Sequence, residues 1–116
     1  MKNSLKHSTY EYIKNKIIHC EYEPGMFLNE ELLCSEIGVS RTPVRDALSR
    51  LEQEGLIYPV KGRGSFVTGS SEIRRIGMEE ILRELRETTE KCRTFGIKEE
   101  EIIYVIRECY KEGDND

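Results

Sequence analysis

Val39-Ser40-Arg41-Thr42-Pro43-Val44-Arg45-Asp46-Ala47-Leu48 is the stretch that decides how this chain folds. Gly38 closes the helix before it, and Ser40 is a residue type favoured as an N-cap, so a new helix opens at Arg41. Pro43 would break a helix interior, but in the first turn its missing N–H costs nothing. Val44, Ala47, Leu48 and Leu51 recur at helical spacing and form a buried stripe. Arg41, Thr42 and Arg45 fall on the first turns of the same helix. An apolar stripe combined with a basic, hydroxyl-bearing tip is what the second helix of a helix-turn-helix needs, because its N-terminal end meets DNA in the major groove.

The elements on either side extend this pattern. Asn29 caps a helix that runs to Ile37, with Glu30 and Glu31 at the positive end of its dipole and Leu32, Leu33 and Ile37 as its buried side. Ser8-Thr9-Tyr10-Glu11 has the capping-box form and predicts a first helix from Ser8 to about Cys20, with Tyr10, Ile13, Ile17 and Cys20 on one face. Glu23-Pro24-Gly25 is a turn. The third helix reaches about Glu54 and stops at Gly55; within it Arg50 is expected to pair with Asp46. Leu56-Ile57-Tyr58 and Ser65-Phe66-Val67-Thr68 read as two strands joined by the tight turn Lys61-Gly62-Arg63-Gly64, which makes a β-wing.

Gly69-Ser70-Ser71 is a joint, and a long helix follows from about Glu72 to Phe95. Met78, Leu85 and Cys92 lie seven apart; Ile81, Thr88 and Phe95 form a parallel set, and Leu82 widens the stripe. Gly96 stops that helix. A last one, about Lys98 to Lys111, opens on Glu99, Glu100 and Glu101 and carries Ile102, Ile103, Val105, Ile106, Cys109 and Tyr110. A charged tail, Gly113 to Asp116, follows. Two helices joined by a tight turn cannot bury both apolar faces on each other, so the hairpin packs on the winged helix or on a second copy. Dimerisation is the economical reading, through Met78, Ile81, Leu82, Leu85, Phe95, Ile102 and Ile106, because sequence-reading dimers dock two recognition helices about one DNA turn apart. The expected fold is therefore mainly α with a small β-wing: a winged helix-turn-helix over residues 1–69, then a two-helix dimerisation hairpin over residues 70–116.

Composition narrows the function class. A chain of 116 residues holds one small domain and a tail. No apolar run approaches the roughly 20 residues needed to span a bilayer, so no membrane partner is expected. Met1 to Tyr10 lacks an apolar signal-peptide core, which points to a cytoplasmic protein. Residues 1–69 hold 9 Lys+Arg against 9 Asp+Glu, and residues 70–116 hold 9 against 13, so the formal net charge of −4 belongs to the C-terminal part. Between Ser40 and Gly64, Arg41, Arg45, Arg50, Lys61 and Arg63 outnumber Asp46, Glu52 and Glu54, which leaves a locally basic segment suited to DNA. There is no phosphate-binding Gly-rich loop, nucleophile elbow or zinc-hydrolase motif, and no enzyme, catalytic residue or cofactor is expected. Cys20, Cys34, Cys92 and Cys109 form no C-x-x-C pair; they are expected to be free thiols buried on helix stripes, with no metal site. A ligand-, metal- or redox-responsive sensor built on the C-terminal helices and cysteines is one alternative; a protein-interaction module without DNA binding is the other.

Leu28-Asn29-Glu30-Glu31-Leu32, Ile37 to Leu48, Leu51-Glu52-Gln53-Glu54-Gly55-Leu56-Ile57 and Gly62-Arg63-Gly64-Ser65-Phe66-Val67, taken as an ordered set, resemble the N-terminal winged-helix domain of the GntR family of bacterial transcription regulators. The tail is similar to the two dimerisation helices of the short YtrA subfamily, whereas the helix-turn-helix is more like the FadR branch. The resemblance implies a dimeric regulator, a repressor, on a palindromic double-stranded DNA operator, with a small-molecule effector as a possible further partner. It also implies that Ser40, Arg41, Thr42 and Arg45 contact operator bases or phosphates, and that Lys61 and Gly62, with Arg63 beside them, enter the minor groove as the wing tip. Some members read a guanine with an arginine near the start of the second helix; Glu31 stands there in this chain, so that contact is absent or altered.

Overall fold

A computed structural model describes residues 2–114, so Asp116 and its neighbour in the charged tail lie outside the described residues. The elements follow in the order α1 (Lys2–Ile18), β1 (Phe27–Leu28), α2 (Glu30–Ile37), α3 (Arg41–Gln53), β2 (Ile57–Val60), β3 (Gly64–Val67), α4 (Ser70–Phe95) and α5 (Glu99–Asp114). This is the mainly helical winged helix-turn-helix expected from the pattern, followed by two C-terminal helices. The chain divides into two compact units, Met1–Met78 and Glu79–Asp116.

In the first unit α1 and α3 pack against each other over the sheet. Ile13 and Ile17 from α1, Val44 and Leu51 from α3, and Leu56, Ile57 and Val67 around the strands are fully buried; Ile73 and Ile76 from the start of α4 close the core. Each such side chain contributes about 1.5–3 kcal/mol relative to exposure. At the rim, the Arg50 guanidinium carbon sits 3.8 Å from the centre of the Tyr10 ring. The Tyr10 hydroxyl donates to Glu54 and accepts from Lys14 Nζ at 2.9 Å. Burial, and then the bond to the Glu54 carboxylate, push that hydroxyl's pKa above its ordinary value. This rim overturns one expectation: Arg50 stacks on Tyr10, and Asp46 pairs with Lys6 at 2.9 Å.

Three other local readings are corrected. Helix α1 begins at Lys2 and ends at Ile18, so Ser8 to Glu11 lies inside it and caps nothing. Nothing in residues 2–7 breaks a helix, and Thr9 Oγ1 donates to the Leu5 carbonyl at 2.8 Å in the turn before it. Cys20 lies beyond the helix in a left-handed conformation, φ 59°, and is exposed. Leu32 is 69% exposed, because Leu33, Cys34 and Ile37 share the side of α2 that meets the core and Leu32, about 100° around the helix from Leu33, falls outside it.

The turn between α2 and α3 follows its residues closely. The Leu32 N–H donates to Asn29 Oδ1 at 3.2 Å, which caps α2. Gly38 adopts φ 81°, a left-handed conformation in which glycine has no Cβ to clash, and its N–H and that of Val39 bond back to the Cys34 carbonyl. Ser40 stands at the N-cap of α3 in an extended conformation, with no side-chain capping bond.

The sheet is antiparallel in the order β1-β3-β2, with Phe27 opposite Phe66 and Phe66 opposite Tyr58. The ring centres of the two neighbouring pairs are 5.5 and 6.0 Å apart, which forms a row of aromatic rings across the sheet. Strand β1 escapes sequence reading because two residues show no alternation. It places a constraint on the wing, however. Gly64 has φ 120°, and a Cβ built there would stand 2.5 Å from Cε2 of Phe27. Gly64→Ala should therefore destabilise the protein by about 1–3 kcal/mol, through backbone strain and displacement of the ring. An unchanged denaturant midpoint would show that the wing relaxes without cost.

In the second unit α4 ends where the Gly96 and Ile97 N–H groups bond to the Cys92 carbonyl, at 3.1 and 2.9 Å. Between its two helices lies an apolar cleft of about 480 Å³, lined by residues such as Leu85, Ile97, Ile102, Ile103 and Ile106. No helix among the described residues is long and apolar enough to cross a membrane.

Candidate nucleic-acid interface

Helix α3 separates its roles by face. Val44, Ala47, Leu48 and Leu51 are buried, and so is Pro43 of the first turn. Ser40, Arg41, Thr42 and Arg45 are all exposed at the N-terminal end. Because Ser40 makes no capping bond, its hydroxyl is not committed to the N–H groups of its own helix. The four predicted contact residues of α3 are thus brought together on one exposed tip.

The first turn of α2 faces this tip. Arg41 Nη2 donates to Glu31 Oε1 at 3.0 Å, and Arg45 Nε donates to Glu30 Oε2 at 3.3 Å. In the sequence both glutamates read as partners of the α2 dipole, and no local signal shows that they meet the arginines of α3. The residues involved are ten and fifteen positions apart, so no local spacing rule announces the pairs. Both pairs stand in water: the Arg41 and Glu31 side chains are 55% and 77% exposed. Such pairs contribute about 0–1 kcal/mol and are screened by salt, so neither guanidinium is withheld from DNA.

The wing shares this surface. A groove of about 480 Å³ is lined by Asn29, Glu30, Glu31 and Arg41 on one side and by Gly64 and Ser65 at the start of β3 on the other. At the tip of the wing the Arg63 N–H donates to the Val60 carbonyl at 2.9 Å, which closes the turn. Lys61, Gly62 and Arg63 are exposed, and neither cation is ion-paired among the described residues.

The residues predicted for dimerisation lie on α4 and α5. Met78, Ile81, Leu82, Leu85, Phe95 and Ile106 are exposed in the single chain, Phe95 at 86%, whereas Ile102 is half-buried in the hairpin cleft. Ile103, Tyr104, Val105 and Tyr110 of α5 add to this exposed apolar surface. The cysteines depart from expectation. All four are free, but Cys20 and Cys109 are exposed and Cys34 and Cys92 only half-buried. For Cys20 the reason is geometric: it falls past the end of α1. Among the described residues no group of three His, Cys, Asp or Glu side chains is placed to hold a metal ion.

Comparison with known proteins gives a consistent result. The family model described as bacterial regulatory proteins, gntR family, matches residues 5–67. The HTH-type transcriptional repressor NagR of Bacillus subtilis is 39% identical over 88 residues, which cover 75% of this chain and 34% of that protein. The HTH-type transcriptional repressor RspR of Escherichia coli is 40% identical over 58 residues, 50% of this chain and 25% of that protein. The chain therefore spans only a quarter to a third of the length of these relatives. A GntR family transcriptional regulator from Listeria monocytogenes superposes with a TM-score of 0.75 at 24% identity, covering 89% of this chain and 92% of that one. At that identity the likeness is one of fold.

Proposed function

Because the chain belongs to the gntR family of bacterial regulatory proteins, we propose that it is a sequence-specific DNA-binding transcription regulator, acting as a homodimeric repressor on a palindromic operator in the cytoplasm. One observation carries this reading: the exposed tip of α3 holds Ser40, Arg41, Thr42 and Arg45 together while the opposite side of the helix is core. Arg41 reads a base edge, since a guanidinium donates two hydrogen bonds to guanine O6 and N7. Arg45, Thr42 and the Ser40 hydroxyl take neighbouring phosphates or base groups and fix the register of the helix. Lys61 and Arg63, carried on either side of Gly62, follow the minor groove, whose potential attracts cations where it narrows. Residues 1–69 form the DNA-binding part, and residues 70–116 join two copies through the exposed seam of α4 and α5. Repression is steric, by occupation of a promoter.

Selection of bound duplexes from a random pool, with the full chain, tests this reading. The expected product is an inverted repeat whose half-site centres lie about 10–10.5 bp apart, or a multiple of that. Failure to enrich any sequence would overturn it. The wing makes a separate prediction. Lys61→Ala should reduce the slope of log K against log salt by about one counterion, with little change in sequence preference. An unchanged slope would take Lys61 out of the interface.

A further inference from the structure

Glu31 sits on the DNA-facing tip, where a carboxylate is out of place for a protein that must approach a polyanion. It stands at the start of α2, is 77% exposed, lines the groove between that helix, α3 and the wing, and holds Arg41 at 3.0 Å. We infer that Glu31 is a specificity-determining positioning residue: it holds the Arg41 guanidinium for base reading and penalises its use as a plain phosphate clamp. The inference rests on the DNA-reading role proposed for the tip of α3.

The argument follows from counting donors and charges. A guanidinium has five N–H donors, and the bond from Nη2 to Glu31 engages that end of the fork only. The remaining donors can meet a guanine edge with Glu31 still in place. A phosphate clamp is different. A phosphate bears a full negative charge, so the donors that Glu31 leaves free bring it close to the carboxylate, whereas guanine O6 and N7 carry only partial charges. Like charges set against each other across an interface disfavour the wrong complex more than they help the right one. On bulk DNA, where only phosphates are on offer, every encounter meets this repulsion. On an operator that presents the correct base to Arg41, the pair is retained and most of the repulsion is avoided. Glu30 and Arg45 repeat the arrangement one turn further along, with Glu30 more sheltered at 36% exposure.

Glu31→Gln tests this directly, since it keeps the size of the side chain and an acceptor oxygen for Arg41 but removes the charge. Affinity for scrambled duplex is expected to rise about three- to tenfold, with a salt slope steeper by about one phosphate contact. Affinity for the selected operator is expected to change by less than about twofold, so the ratio of specific to non-specific binding falls. Glu52→Gln makes the same change of net charge about 16 Å away along α3 and should leave the ratio unaltered. Equal gains on both duplexes, an unchanged ratio, or the same fall in Glu52→Gln would overturn the role of Glu31 while leaving operator binding intact. A wild-type protein that enriches no duplex would overturn the DNA-reading role, and this inference with it.

Discussion

Replacing Ile81 and Leu85 together by glutamate is expected to leave a monomer whose winged helix is intact and whose operator binding is lost. Both side chains are apolar, close to half exposed or more in the single chain, and one turn apart on the same face of α4. In a dimer each copy would bury this face, at about 1.5–3 kcal/mol for each fully covered Leu or Ile. Four carboxylates brought into that interface would have no partner and would repel one another. The loss on DNA should be larger than any single contact explains. A dimer makes its second half-site contact intramolecularly, which is worth about 10²–10⁴ in apparent affinity. Sedimentation of wild type and variant, together with binding to the intact inverted repeat, makes the measurement. A wild type that sediments as a single chain, or a variant that remains dimeric, would remove α4 and α5 from the assembly proposed above.

Arg41→Ala should weaken operator binding about ten- to a hundredfold while reducing binding to scrambled duplex only by the loss of one cationic group. The expected magnitude is that of one bidentate contact to a base edge, about 1–3 kcal/mol. The pair with Glu31 changes how this experiment is read. Deleting Arg41 also strips Glu31 of its partner, and the freed carboxylate then opposes every DNA, specific or not. The substitution is therefore best made in the Glu31→Gln background as well, as a double-mutant cycle. If Arg41 reads a base, its loss remains specific to the operator in both backgrounds. Equal losses on operator and scrambled duplex would reduce it to a phosphate contact.

Much of the fold could be read along the chain because its signals are local. Asn29, Gly38 and the Pro43 turn bound α2 and α3 where their chemistry places them. The glycines around Arg63 set the turn of the wing, and the repeat of Val44, Ala47, Leu48 and Leu51 fixes which side of α3 is buried. The misreadings share a cause. Ser8 to Glu11 has the form of a cap, but a cap forms only where the helix has no turn before it, and residues 2–7 supply one. Leu32 is apolar like its neighbour, yet the core meets α2 on the side of Leu33, Cys34 and Ile37, which leaves Leu32 in solvent. Strand β1 is defined by its pairing with β3 and by nothing in its own two residues.

The residue pattern alone determined the helix-turn-helix, the wing, the exposed tip of α3 and the apolar stripe of the last two helices, since each rests on periodicity or on a residue's own backbone preference. Only the tertiary structure decided what those residues touch. It set Glu31 against Arg41 and Glu30 against Arg45, stacked Arg50 on Tyr10 rather than beside Asp46, laid Phe27 over Gly64, and left Cys20 and Cys109 in solvent. The physical reason is that periodicity tells a side chain which way to face, while charge pairing and ring stacking depend on which other element arrives there, and that is fixed only when the whole chain packs.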